Sequence, residues 1–336
     1  MESTEEEPVL ISQNDSNYLP IRNGYTSRRS LLNSQERLIL ASSSIENMPG
    51  GWLYRNFMKR RIMFLRTLNI FGIFLEISGF IAGEYLTDFG TDISSTYETP
   101  FTLDDWFEFS LWVFILSLSV FLLPVLFKKT ENSISFLTEK LKFYHFPVCA
   151  FLGIYFFSKQ FYDNELSYII VNDILLFLIA VFVFYIYWKV KYEEDGRYRV
   201  SWIEYIGIHL QFSVLVSFVL VELCRSVLMT IIKVKKIDNR ELFGLDFDEW
   251  TIIVMAFAFV LGVIFLTMYK DIYFAGVLGY NFFGVFVVQA TDECIKSNCS
   301  ERVQEASLVL GCLTFGFIIL TIGFYPRLIC YNLRSS

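Results

Sequence analysis

From about residue 60 onward, long apolar runs alternate with short polar segments along the chain. A helix that crosses the roughly 30 Å hydrocarbon core of a bilayer needs about 20 apolar residues. Eight runs approach or reach that length, so the pattern predicts an all-α fold, a polytopic transmembrane helix bundle. The predicted spans are 63–85, 107–127, 143–161, 168–188, 202–223, 250–269, 272–290 and 306–325.

Two of these runs have unusual boundaries. Pro147 interrupts the run at 143–161, and His145 and Lys159 flank it, so a seven-span arrangement is the alternative to eight. The runs at 250–269 and 272–290 are separated only by Lys270 and Asp271. So short a connection predicts a tight helical hairpin.

The first 50 residues have a different composition from the rest of the chain. They are acidic and then rich in Ser, Asn and Arg, which predicts a disordered tail at 1–50 ahead of a helical bundle at 51–336. Lys59, Arg60 and Arg61 precede the first run, whereas residues 86–105 contain no Lys or Arg. The positive-inside rule therefore predicts that the tail is cytosolic.

The tail contains two short patterns that resemble sorting signals. Glu6 lies four residues before the pair Leu10–Ile11, which resembles an acidic dileucine signal. Tyr18 is followed at the third position by Ile21, which resembles a tyrosine-based signal. These resemblances imply recognition by clathrin adaptor complexes. They favour an endosomal, lysosomal or vacuolar membrane, with the plasma membrane and endoplasmic reticulum as alternatives.

The polar loop at 291–305 bears on topology. It contains the N-glycosylation sequon Asn298-Cys299-Ser300, and Cys294 and Cys299 lie close enough in sequence to form a disulfide. Eight spans place this loop in the lumen, where both modifications occur, whereas seven place it in the cytosol. Counting positive charges near the helix ends does not separate the two arrangements, so the sequon and the cysteine pair favour eight.

Composition narrows the functional classes. The chain is 54% hydrophobic and has a net charge of −7, which argues against a nucleic-acid partner and makes the lipid bilayer its main surroundings. It has only two His residues and no metalloprotease, hydrolase or nucleotide-binding motif. The sequence therefore predicts no metal, no cofactor and no enzymatic activity, and it predicts no particular oligomeric state.

Ionisable residues inside the apolar runs are the candidate functional residues, because a charge in the membrane is costly. Glu76 shares a helix face with Gly72, Gly79 and Gly83, and Gly79 and Gly83 form a small-xxx-small pattern that predicts close packing on another helix. Glu76 is interpreted either as a proton or cation site or, with slight preference, as a protonated residue that forms an interhelical hydrogen bond.

The run at 202–223 carries a second set. Glu204, Gln211 and Glu222 fall near one line at 3.6 residues per turn, and Arg225 is within ion-pair reach of Glu222. They form either a lined pathway or a set whose ends, Glu204 and Arg225, lie at opposite interfaces. Asp173 either meets this stripe or, as slightly favoured, caps its own helix.

These residues support two functional hypotheses. The first is a multi-pass protein of an endomembrane that moves or senses a small solute or ion. The alternative is a non-transporting, receptor-like or trafficking scaffold protein, whose polar residues would pair with one another around no connected cavity. The candidate pathway residues are Glu76, Asp173, Gln211, Glu222 and Arg225.

Overall fold

The computed structural model describes residues 51–87, 105–128, 133–134, 136–159, 166–192, 202–235, 241–242, 244–290 and 300–324. The chain divides after Arg60 into two units. The first unit is described only where α1 begins, and the following account concerns the second. The predicted tail at 1–50 lies outside the described residues.

The described chain is almost entirely helical. The α-helices are α1 (Gly51–Thr87), α2 (Asp105–Phe127), α3 (His145–Lys159), α4 (Leu166–Tyr192), α5 (Trp202–Glu204), α6 (Gln211–Lys235), α7 (Phe247–Tyr269), α8 (Ile272–Ala290) and α9 (Glu301–Phe324). Two π-helices precede α3 and α6, namely π1 (Phe136–Leu141) and π2 (Tyr205–Leu210). Two short strands, β1 (Glu241–Leu242) and β2 (Leu245–Asp246), pair antiparallel before α7.

Seven helical segments in the described ranges are long and apolar enough to span a membrane. They are Asn56–Gly83, Trp106–Phe127, Ser167–Lys191, Trp202–Ile231, Phe247–Tyr269, Ile272–Ala290 and Glu301–Phe324. The predicted transmembrane helical bundle is therefore confirmed. Within the predicted span at 143–161, the structure has α3, His145–Lys159, which has 15 residues. A rise of about 1.5 Å per residue makes α3 roughly 22 Å long, shorter than the hydrocarbon core.

Helix α1 packs closely on α3 through glycines. A Cβ atom added to Gly79 would lie 2.3 Å from the carbonyl oxygen of Gly153, and one added to Gly83 would lie 2.8 Å from the carbonyl oxygen of Phe156. The close packing predicted for this face of α1 is confirmed. The contact brings the two backbones together, so neither glycine can be replaced without moving a helix.

The bundle core is aromatic where α2, α3 and α6 meet. Trp112 of α2 makes edge-to-face contacts with Phe156 of α3 and Phe218 of α6, both at 4.4 Å between ring centroids. Helix α4 contacts α3 and α6, and α8 contacts α6, α7 and α9. Edge-to-face ring pairs of this kind stabilise a core beyond the area that they bury.

Helices α7 and α8 form the predicted tight hairpin. Lys270 ends α7 in the left-handed backbone region, with φ 53°. Asp271 follows, and its Oδ1 accepts hydrogen bonds from the backbone N–H groups of Tyr273 at 3.2 Å and Phe274 at 3.1 Å. Asp271 thus caps the first turn of α8, which satisfies backbone donors that have no partner within the helix.

Candidate functional site

Four charged side chains from three helices meet inside the bundle and are called the charge cluster: Glu108 of α2, Lys159 of α3, and Glu222 and Arg225 of α6. Arg225 Nη1 donates to Glu108 Oε2 at 2.7 Å, and Arg225 Nη2 donates to Glu222 Oε2 at 2.8 Å. Lys159 Nζ pairs with the other oxygen of Glu108. Tyr155 adds a hydrogen bond from its hydroxyl to Glu222 Oε2 at 3.1 Å.

The charge cluster is electrically balanced, with two acids and two bases. Glu222 is completely buried, and only the Lys159 side chain, which is 30% exposed, reaches far toward the surface. This balance stabilises the fold, because an unpaired charge buried here would lower the free energy of unfolding by several kcal/mol. Within the described parts of the chain, Glu222 Oε1 is buried and has no hydrogen-bond partner.

The sequence predicted only half of this cluster. The Glu222–Arg225 pair at i,i+3 spacing is as expected. The sequence does not mark Glu108 and Lys159 as site residues, because both lie at the ends of apolar runs, where a charge is ordinarily hydrated among the lipid headgroups. Their position at run ends was visible in the sequence, but their mutual pairing was not, since Glu108 and Arg225 are 117 residues apart.

A second group joins α1, α2 and α6 and is called the Glu76 cluster: Glu76, Ser119 and Gln211. Gln211 Nε2 donates to Ser119 Oγ at 3.0 Å, and Ser119 Oγ donates to Glu76 Oε1 at 3.3 Å. Glu76 therefore points into the bundle and makes an interhelical hydrogen bond. Among the described residues, Glu76 Oε2 and Gln211 Oε1 are both buried with no N–H or O–H donor, and the Cys149 thiol of α3 also lies against the Glu76 carboxylate.

Two members of the predicted line, Glu204 and Gln211, both have partners at α2. Gln211 donates a hydrogen bond to Ser119 of α2. Glu204 forms an ion pair at 3.0 Å with Lys128, which follows α2. Glu204 also accepts a hydrogen bond from Ser133 at 3.3 Å. The six residues of π2 lie between Glu204 and Gln211. A π-helix has i→i+5 hydrogen bonds, so an angle calculated at 3.6 residues per turn does not apply across it.

Asp173 meets α6 rather than capping its own helix, so the slightly favoured capping interpretation is wrong. It lies well inside α4, which begins at Leu166. Its two carboxylate oxygens accept hydrogen bonds from the hydroxyl groups of Ser226 and Thr230 on α6. The five candidate residues are thus divided among three groups: Glu222 and Arg225, Glu76 and Gln211, and Asp173.

The remaining predicted sites lie outside the described residues and stay predictions. They are the sorting-signal residues Glu6, Leu10, Ile11, Tyr18 and Ile21, the sequon residue Asn298, and the cysteines Cys294 and Cys299.

A cavity of about 480 Å³ lies between α2, α6 and α8, partly open at its surface, and is called the apolar cavity. Its walls are mainly aliphatic and aromatic, including Phe114 and Val214. Its polar groups include Ser110 Oγ and the Tyr280 hydroxyl, which are hydrogen-bonded to each other at 2.6 Å. Gly276 also lines the cavity, and a Cβ atom added there would meet nothing within 4 Å.

The chain was compared with models of known protein families. The family model described as TSPO-like protein matches residues 68–321, which is more than half of the 336 residues. The chain belongs to the TSPO-like protein family. The charge cluster, the Glu76 cluster and the apolar cavity of this TSPO-like protein all lie within the matched residues. No curated protein and no solved structure matches the chain.

Family membership and the spanning helices together make this TSPO-like protein a multi-pass integral membrane protein in contact with the lipid bilayer. The exposed surface agrees, because it carries large apolar side chains such as Phe257, Met268 and Ile319. Side chains of this kind are stable facing lipid tails.

Proposed function

We propose that this TSPO-like protein binds a hydrophobic small molecule in the apolar cavity and so senses or carries that molecule within the membrane. The apolar cavity itself is the observation that carries the proposal. Its volume of about 480 Å³ lies in the range of roughly 300–1,000 Å³ that is usual for ligand pockets. Such pockets are mostly apolar with a few polar groups, as this one is.

The wall chemistry indicates the kind of ligand. The body of the ligand would be apolar, because aliphatic and aromatic side chains dominate the lining. The hydroxyl groups of Ser110 and Tyr280 are hydrogen-bonded to each other. A ligand without hydrogen-bonding groups can therefore bind while both hydroxyl groups keep their hydrogen bond. A ligand with one polar group would exchange one hydrogen bond for another at this pair.

The polar residues support binding or sensing over ion movement. In the charge cluster, the acids and bases pair with one another, within α6 and between α6, α2 and α3. Mutual pairing was expected for a receptor-like or scaffold protein. The apolar cavity, in turn, is lined by none of the five candidate pathway residues.

Filling the cavity tests this function. In Gly276→Leu the added side chain starts in open space at the cavity wall, so it should occupy the cavity without displacing α8. A small aryl diazirine photoprobe should label the peptide containing Tyr273 and Tyr280 in the wild-type protein, and this labelling should fall strongly in Gly276→Leu. The readout is mass spectrometry of the purified protein in nanodiscs.

The matched control is Gly316→Leu in α9, where an added Cβ also meets nothing within 4 Å and which does not line the cavity. Labelling should be unchanged in this variant. Equal labelling of the Tyr273–Tyr280 peptide in Gly276→Leu and wild type, with both proteins folded, would contradict the proposed function.

Solute or ion movement is the second candidate, and the unpartnered Glu222 Oε1 favours it, since a buried acceptor without a donor can receive a proton or cation. Reconstituted Glu222→Gln protein should then show altered flux or altered pH dependence of flux. Unchanged flux would count against this candidate.

We also propose an endosomal, lysosomal or vacuolar location, supported by the two tail patterns around Leu10–Ile11 and Tyr18. Clathrin adaptor complexes would bind the tail. No enzymatic activity is proposed. Replacing both Leu10 and Ile11 by Ala should shift the protein toward the cell surface, as seen by surface biotinylation. An unchanged distribution would remove the support of this signal.

Lumenal modification of the 291–305 loop is part of the same proposal. Asn298→Gln should abolish a mass decrease on enzymatic deglycosylation, and Cys294 and Cys299 should resist alkylation until reduced. A wild-type protein whose mass does not change on deglycosylation would leave the eight-span topology without its main support.

A further inference from the structure

Glu76 differs from the other buried acids of the bundle because it has no cationic partner among the residues that the structure describes. Glu108, Glu204, Glu222 and Asp271 each form an ion pair with a Lys or Arg. Within the described part of the chain, no Lys or Arg forms an ion pair with Glu76, which is only 1% exposed. Its hydrogen bond from Ser119 at 3.3 Å does not neutralise its charge.

Two oxygen acceptors of the Glu76 cluster have no hydrogen-bond partner among the residues that the structure describes. Glu76 Oε2 and Gln211 Oε1 are both buried and unpartnered, and Gln211 is also only 1% exposed. Both side chains converge on the hydroxyl of Ser119, one from α1 and the other from α6. The Glu76 cluster thus offers carboxylate, hydroxyl and amide oxygens from three helices.

The physical consequence concerns charge. An ionised carboxylate in an apolar interior is unfavourable by several kcal/mol unless it is paired or binds a cation. One carboxylate is balanced by one positive charge, and neutral and anionic oxygens are the ligands that hard cations prefer. A divalent ion would leave an excess positive charge, and the described residues include no cluster of three or more His, Cys, Asp or Glu suited to a metal.

We propose that Glu76, Ser119 and Gln211 form a binding site for a small monovalent cation such as sodium, which joins α1, α2 and α6. The cation would lie beside the Ser119 hydroxyl, with Glu76 Oε2 and Gln211 Oε1, the two unpartnered oxygens, as its ligands. It supplies the counter-charge that Lys and Arg supply to the other buried acids. This site is separate from the apolar cavity, and its test does not depend on ligand binding there.

The test is sodium-dependent stability of the full chain. Purified protein in nanodiscs is unfolded thermally at pH 8, where an ordinary histidine is neutral, in sodium chloride and in choline chloride of equal ionic strength. At a sodium concentration ten times the Kd, the folded state is favoured about 11-fold, which corresponds to a Tm increase of a few degrees. Choline is too large for a site of this kind.

Glu76→Gln keeps the shape and the hydrogen bond from Ser119 but removes the charge, so the difference between sodium and choline should disappear. Glu305→Gln, at an exposed position on α9, is the matched control and should retain the difference. If Glu76→Gln does not fold, Gln211→Leu serves instead, because it removes one oxygen and should raise the sodium concentration needed for half of the Tm increase.

Three results would overturn the proposal. The first is an equal wild-type Tm in sodium and choline. The second is an unchanged sodium effect in Glu76→Gln or, in its place, in Gln211→Leu. The third is a Tm that increases as the pH is lowered but does not depend on sodium, which would show that Glu76 is neutralised by a proton.

Discussion

Removing Arg225 alone from the charge cluster should destabilise the protein more than removing Arg225 and its partner Glu222 together. Arg225→Met keeps much of the side-chain length but deletes the ion pairs to Glu108 at 2.7 Å and Glu222 at 2.8 Å. Lys159 is then the only cation for two buried acids. Breaking one partner out of a buried ion pair costs about 3–5 kcal/mol, because the remaining charge is left uncompensated.

The magnitude follows from burial. The Arg225 side chain is only 8% exposed and that of Glu222 is 0% exposed, so solvent screens neither charge. A loss of that size corresponds to a Tm lower by roughly 10 °C. In the double variant Arg225→Met/Glu222→Gln, the cluster keeps Glu108 and Lys159 and is neutral again. The double variant should therefore recover part of the stability that Arg225→Met loses.

The assay is thermal unfolding of purified protein in nanodiscs, followed by tryptophan fluorescence, for wild type, both single variants and the double variant. The coupling between the two positions should be about 1 kcal/mol or more in magnitude, within the range seen for residues in contact. Arg302→Met, at an exposed position of α9, is the matched control and should leave the Tm unchanged. Additive effects of the two substitutions, or a stable Arg225→Met variant, would refute this account of the cluster.

Two further substitutions test the packing. Gly79→Ala should lower the Tm by several degrees, because its Cβ would lie 2.3 Å from the Gly153 carbonyl oxygen and α1 must move away from α3. Gly316→Ala, where the added Cβ meets nothing within 4 Å, should leave the Tm unchanged. Equal Tm values for Gly79→Ala and wild type would contradict the close approach of α1 and α3. Asp271→Ala should cost about 1–3 kcal/mol, because α8 loses its cap and Lys191 loses an acid at 3.4 Å. Faster hydrogen exchange in the first turn of α8 should accompany that loss, and unchanged exchange would argue against the cap.

The local part of the site could be predicted from the sequence. Glu222 and Arg225 lie three residues apart on one helix, so their pairing depends only on helix geometry. The close packing of Gly79 and Gly83 follows from small residues four positions apart. In both cases the spacing within a single helix carries the information.

The long-range part could not be predicted in the same way. Glu108 and Lys159 lie on two other helices, and which faces meet depends on how α2 and α3 are rotated about their axes. The π2 segment between Glu204 and Gln211 does not follow from the spacing of the polar residues either. The partners of Asp173 on α6 likewise depend on how far α4 and α6 are shifted relative to each other along their axes.

The sequence by itself determined that this chain forms a bundle of membrane-spanning helices, because the free energy of placing each apolar run in lipid depends on that run alone. It also determined which charges are costly enough to require partners. Only the tertiary structure decided which partners they have, that a helix of 15 residues, α3, lies within the predicted span 143–161, and where the apolar cavity lies. These features depend on the rotation of each helix about its axis, its shift along that axis and its distance from its neighbours. All three are set by packing across the whole bundle and not within any one segment.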